Sequence, residues 1–133
     1  MKLIIATPYK KIELEDIEYV RLLTLDGYMG IMKNHIPAIV YLEPGDIKYK
    51  KNGKSFFLWC PGGFAEITGT DVLITTESTE SPGEINIKET KKEVDNIYKK
   101  VKTYGSLAGF VLAGIDLKRS VNKLKFADRF RKK

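Results

Sequence analysis

The chain has 133 residues, with 23 Lys plus Arg against 17 Asp plus Glu and a net charge of +6. That length predicts one domain with an appendage, and a composition 43% hydrophobic and 30% charged is too apolar for a disordered chain. The single cysteine, Cys60, excludes an intrachain disulfide and a cysteine-rich metal site, and it fits a reducing compartment. No apolar run reaches the roughly 18 to 20 residues of a membrane span. The longest stretch, Leu107 to Leu117, is broken by Gly109, Gly114 and Asp116, and the opening Met1-Lys2-Leu3-Ile4-Ile5 predicts no secretory signal.

Charge divides the chain. Residues 1–83 hold 9 Lys plus Arg against 11 Asp plus Glu, net −2, whereas residues 84–133 hold 14 against 6, net +8. Up to about Thr79, turn formers recur at Pro8, Gly27, Gly30, Pro37, Pro44-Gly45, Asn52-Gly53, Pro61-Gly62-Gly63 and Gly69. The short segments between them are rich in Ile, Val, Tyr, Phe and Thr, the pattern of an antiparallel sandwich or barrel.

Ile17, Tyr19, Leu23 and Leu25 fall at alternate positions, as do Ile47 and Tyr49, which predicts strands with one buried and one wet face. Asn52-Gly53 favours the left-handed conformations of a tight hairpin turn and predicts that residues 46–50 pair with residues 55–60. Phe56 to Cys60 and Val72-Leu73-Ile74 lack alternation and predict strands covered on both faces that carry the core.

After Ser81-Pro82-Gly83 the apolar residues change to helical spacing. Ile87, Val94, Ile97, Tyr98, Val101 and Tyr104 lie near one stripe, and Asn86 with Glu89 resembles a capping box, which predicts a helix from about Ile87 to Lys102. A second stripe joins Leu117, Val121 and Leu124 and extends upstream through Phe110 and Leu107. Gly105, Gly109 and Gly114 weaken that upstream part, each interior glycine costing about 1 kcal/mol, so this helix begins near Ser106 or only near Asp116. The expected architecture is a β-sandwich over residues 1–83 followed by a two-helix antiparallel hairpin over residues 84–133.

The residues offer little for catalysis. His35 is the only histidine, which rules out a histidine metal cluster, and its place between Asn34 and Ile36-Pro37 predicts a hydrogen bond that fixes a turn, with a partner contact as the other role. Gly62-Gly63 reads as a tight turn rather than a phosphate loop, and Cys60 beside Trp59 reads as an inert core thiol. A sandwich enzyme using Cys60 and His35 would instead need a thiol that alkylates readily in the folded state. No catalytic residue, metal or cofactor is expected. The basic residues of the last helix, Lys118, Arg119, Lys123, Lys125 and Arg129 among them, form a solvated face or bind an acidic partner. A nucleic acid or a carboxylate-rich protein surface fits that charge, and nothing favours nucleic acid in particular.

Several motifs, in order, resemble one family. Asp26-Gly27-Tyr28-Met29-Gly30-Ile31, then Asn34-His35-Ile36-Pro37, Pro44-Gly45, Gly62-Gly63-Phe64-Ala65-Glu66-Ile67 and Ile115-Asp116-Leu117-Lys118-Arg119-Ser120 are similar to motifs of the epsilon subunit of F-type ATP synthases. The resemblance implies a sandwich of about ten strands and a helical hairpin. It implies a non-catalytic subunit of the central rotor that binds the gamma subunit and the membrane c-ring, with the helices braking ATP hydrolysis against the catalytic alpha and beta subunits. By the same resemblance Tyr28 and Met29, with Lys33 and His35 nearby, are the ring contacts, Pro82-Gly83 is the hinge of the helical part, and the basic residues named above meet an acidic loop of the beta subunit. The complex would hold the chain at the cytoplasmic face of a bacterial plasma membrane, or at an organelle's inner face, without direct contact to nucleic acid.

Two departures from the family pattern carry consequences. Relatives usually have a small or polar residue, often acidic, where Tyr28 stands. Relatives that bind ATP begin their first helix with Ile/Leu-Asp-x-x-Arg-Ala, whereas this chain has Ile85-Asn86-Ile87-Lys88-Glu89-Thr90, which places a glutamate where the arginine would meet phosphate. No useful ATP binding is expected.

Overall fold

In the computed structural model the described residues are 1–103 and 107–131, with side chains described outside residues 100–113 and 131. The expected stripe positions Val101, Tyr104, Leu107 and Phe110, and the glycines Gly105 and Gly109, therefore lie outside the described side chains or residues. Nine strands come first: β1 (Lys2–Ala6), β2 (Lys11–Leu14), β3 (Tyr19–Thr24), β4 (Gly27–Ile31), β5 (Ala38–Leu42), β6 (Gly45–Lys51), β7 (Lys54–Cys60), β8 (Gly63–Ile67) and β9 (Asp71–Thr76). Two helices follow, α1 (Ile87–Thr103) and α2 (Leu107–Arg131). The chain divides into two compact units, Met1–Ser81 and Pro82–Lys133.

The strands run in the order β2-β1-β9-β8-β5-β3-β6-β7, with β4 on the other edge of β3. Among the described residues only β1 and β9 pair in parallel. A single pair, Thr24 with Leu42, joins the first five strands to the rest, so the sheet curls into two layers at that point. Leu3, Ile5, Val20, Leu22, Ile31, Ile47, Ala65, Ile67, Val72 and Ile74 fill the space between the layers, all nearly inaccessible to solvent. Burying each larger one contributes about 1.5 to 3 kcal/mol. The expected tenth strand is reduced to one isolated bridge, in which Trp59 and Glu80 exchange backbone hydrogen bonds of 2.8 and 3.0 Å.

Local chemistry explains where the elements turn. Asn52 (φ 52°) and Gly53 (φ 75°) both adopt the left-handed conformation, and Lys51 pairs with Lys54, so the β6–β7 hairpin closes with a two-residue turn that matches strand twist. Gly63 has φ 148°, and a Cβ there would stand 2.1 Å from the Thr75 carbonyl oxygen. Only glycine permits this approach of β8 to β9.

Three sequence expectations change in detail. The buried residues of β3 are Val20 and Leu22, while Leu25 is exposed. The alternation from Ile17 does not run through because Asp16, with φ 56°, and Ile17 precede the strand, which starts in the opposite phase at Tyr19. In β7 burial is graded, since Phe56 is exposed and only Trp59 and Cys60 are buried, whereas Val72 and Ile74 of β9 are buried with Leu73 between them half-covered. In α1 the covered positions are Ile87, Thr90, Val94 and Ile97, and Thr90 draws that face away from Tyr98, which is exposed.

The helix start follows its cap. The Asn86 side-chain oxygen accepts the Glu89 backbone N–H at 3.1 Å, and the Thr90 hydroxyl donates to the Asn86 carbonyl at 2.8 Å. The two helices pack against each other, and α2 is a continuous helix from Leu107, which settles the choice of start in favour of the longer helix. Leu117, Val121 and Leu124 are half-buried, and the most covered residues of α2 are Phe126 and Ala127. Phe126 lies across the helix from the Leu117 stripe, so α2 is covered on more than one side.

Candidate functional site

The turn between β3 and β4 carries the first group of expected contact residues. Antiparallel register places Tyr28 opposite Leu23 and Gly27 opposite Thr24, and the Thr24 hydroxyl donates to the Gly27 carbonyl at 2.8 Å. Alternation along β4 then sends Tyr28 and Met29 to opposite faces: Tyr28 is 53% exposed, whereas Met29 packs against the core. The exposed Leu25 stands beside Tyr28 at the rim of a cleft of about 430 Å³, whose other wall is formed by Ile39 and Tyr41 of β5.

Tyr28 is anchored from below. Its hydroxyl donates to Asp46 Oδ1 at 2.7 Å, and Arg21 donates to Asp46 Oδ2 at 2.6 Å, so both carboxylate oxygens are used. The Arg21 guanidinium carbon lies 4.3 Å from the Tyr28 ring centroid, close enough for a cation–π contact. Asp46 is 8% exposed, and a carboxylate so buried needs this pairing. Neither Arg21 nor Asp46 is singled out by sequence. They are 25 residues apart, and only the β3–β6 and β3–β4 registers bring them to Tyr28.

Lys33 and His35 lie beyond the other end of β4. The Ile31–Val20 pair closes the strand there, and the length of β4 separates the loop of residues 32–37 from Tyr28. His35 serves its turn: its Nδ1 and the Ile36 carbonyl are 2.7 Å apart, its backbone N–H donates to Met32 at 3.1 Å, and Asn34, with φ 70°, donates its own N–H to the Gly69 carbonyl at 2.9 Å. Lys33 is exposed, flanked by the exposed Met32 and Ile36.

Cys60 is 2% exposed, and burial pushes its thiol above its ordinary pKa. It pairs with Gly45, at the end of β6 remote from Tyr49, which the sheet places level with Ile31 and the loop that carries His35. The register therefore does not bring thiol and imidazole together as a nucleophile and base. Among the described residues no group of three or more His, Cys, Asp or Glu is placed to hold a metal ion.

The basic residues of α2 divide between faces. Lys118, Lys125 and Arg129, spaced by seven and four residues, share one face, and Lys118 and Lys125 border a second cleft of about 430 Å³ with Leu117 and Val121. Arg119 and Lys123 share another face and are half-buried. The Arg129 guanidinium lies 5.2 Å from the Phe130 ring centroid.

A curled nine-stranded sandwich closed by glycine turns and followed by two helices defines a class. The family model for the ATP synthase delta/epsilon chain beta-sandwich domain matches residues 1–82. The ATP synthase epsilon chain of Caldanaerobacter subterraneus subsp. tengcongensis is 30% identical over 127 residues, covering 95% of this chain and 92% of that one. The corresponding chain of Halalkalibacterium halodurans is 28% identical over 126 residues, covering 94% and 95%. Two solved structures share the fold: a chain of the Euglena gracilis mitochondrial ATP synthase (TM-score 0.78, 21% identity, 90% of this chain and 76% of that one) and one of the Tetrahymena thermophila enzyme (TM-score 0.69, 17% identity, 97% and 94%).

The chain belongs to the epsilon subunit family of F-type ATP synthases. Members of this family are non-catalytic stalk subunits of a membrane-associated complex, and no helix among the described residues is long and apolar enough to cross a membrane.

Proposed function

We propose that this chain joins the gamma subunit to the c-ring in the central rotor through its sandwich, and that its helices brake ATP hydrolysis at the catalytic alpha and beta subunits. The observation that carries this reading is likeness to bacterial epsilon chains along 95% of the chain, both units included. The Euglena and Tetrahymena chains of the same fold come from assemblies described as containing the c-ring, which supports the placement.

Each surface has chemistry suited to its role. Ile39 and Tyr41 of β5 are each 72% exposed, and Phe64 of β8 pairs directly with Tyr41 on the same face and is 44% exposed. An apolar patch of this kind marks a protein contact and serves as the seat for gamma. The β3–β4 turn presents Leu25 and Tyr28 to the c-ring, with Met29 supporting it from inside. Lys33 and His35 reach the ring only if the contact spans β4.

For the brake, Lys118, Lys125 and Arg129 on one face of α2 complement an acidic loop of the beta subunit, with Arg119 and Lys123 on the neighbouring face. Pro82-Gly83 stands at the boundary between the compact units and serves as the hinge. The complex holds the chain at the cytoplasmic face of a bacterial membrane, and either protons or sodium ions fit as the coupling ion. The test is to delete residues 84–133 and assay ATP hydrolysis by the assembled complex. Hydrolysis should rise. Unchanged activity would remove the brake while leaving the coupling role intact.

A further inference from the structure

We infer that Arg21 and Asp46 are positioning residues for the ring-facing turn: they lock Tyr28 so that an aromatic side chain presents nonpolar surface to the c-ring. This inference rests on the proposed ring contact at that turn. It deepens that contact by giving its chemistry.

Three observations converge. First, the polar atom of Tyr28 is engaged, because its hydroxyl donates to Asp46 Oδ1 at 2.7 Å. Second, Arg21 stands 4.3 Å from the ring centroid and is itself held by Asp46 Oδ2 at 2.6 Å, so rotation of the tyrosine would open a half-buried ion pair further to solvent and strip the Asp46 carboxylate of a donor. Third, Tyr28 remains 53% exposed beside Leu25 of the same turn, which is 70% exposed and lines the same cleft.

The charge balance follows from this geometry. The arginine cation and the aspartate anion neutralise each other beneath the ring, so the cluster contributes no net charge to the surface. Contact through it buries apolar area and depends little on salt. The anchors come from β3 and β6, whereas Tyr28 sits on the edge strand β4, which otherwise pairs only with β3. The cluster thus ties the exposed hairpin to the middle of its layer.

The experiment measures binding of the full-length chain to ATP synthase depleted of its own epsilon subunit, across a range of salt concentrations. Tyr28→Phe keeps the ring and removes only the hydroxyl that donates to Asp46; it should weaken binding about tenfold, with a lowering of the isolated chain's melting temperature too small to unfold it at the assay temperature. Asp46→Asn leaves the Arg21 charge uncompensated, so binding should depend more steeply on salt than the parent chain's does. Tyr28→Ala and Leu25→Ser test the contact itself. If these two weaken binding while Tyr28→Phe and Asp46→Asn match the parent in affinity and salt dependence, the positioning role is overturned. If none of the four changes binding, the ring contact at this turn is wrong, and the inference falls with it.

Discussion

Cys60 and Tyr49 give the sandwich a dependence on pH that is set by burial. Burial raises both groups above their ordinary pKa values, because each anion loses solvation in the fold. The unfolded thiol therefore ionises before the folded one. Between those two values the unfolded chain binds fewer protons, so stability is complete below the ordinary thiol pKa and declines as pH rises through the folded value. Chemical denaturation at stepwise higher pH should show this decline, and Cys60→Ala should flatten it. The same burial predicts that Cys60 resists alkylation until the chain unfolds, while rapid labelling of the folded protein would revive a catalytic thiol. Gly63→Ala is the strongest single-residue test of packing. A Cβ 2.1 Å from the Thr75 carbonyl, together with a backbone at φ 148°, should cost about 2 to 4 kcal/mol in urea unfolding.

At the scale of elements, sequence signals are clearest where one local rule dominates. Asn52-Gly53 specifies its own dihedrals, and the β6–β7 hairpin forms where those residues require it. Asn86 likewise marks the start of α1, and Asn86→Ala should cost about 1 kcal/mol, read as lower helix content or a lower unfolding midpoint. The phase of β3 is not legible, because Ile17 is buried ahead of the strand and the buried set then shifts by one residue to Val20 and Leu22, behind an alternation that looks continuous from Ile17 to Leu25. Thr90 stands outside the apolar stripe of α1 because a polar residue does not signal burial, yet it is buried and its hydroxyl donates to the Asn86 carbonyl. The Arg21–Asp46–Tyr28 cluster was hidden for a further reason. It depends on register across three strands, and a pair 25 residues apart carries no local pattern. Motif order located Tyr28. Only the fold shows what holds it.

The whole molecule separates its charge as it separates its units. The sandwich portion, residues 1–83, carries net −2 and displays apolar residues on its outer face, while residues 84–133 carry net +8. That division suits a part that holds position through apolar contacts and a part that meets an acidic surface, as the proposed rotor and brake require. It also predicts that inhibition by the helices weakens as salt rises, whereas attachment of the sandwich does not, measurable as hydrolysis and retained chain in one titration. The most direct test of the rotor assignment is to recover the tagged full-length chain from detergent-solubilised membranes of its own cells and identify what accompanies it. Recovery with gamma, the catalytic alpha and beta subunits and the c-ring is the expected result, and recovery alone or with nucleic acid in their place would contradict it.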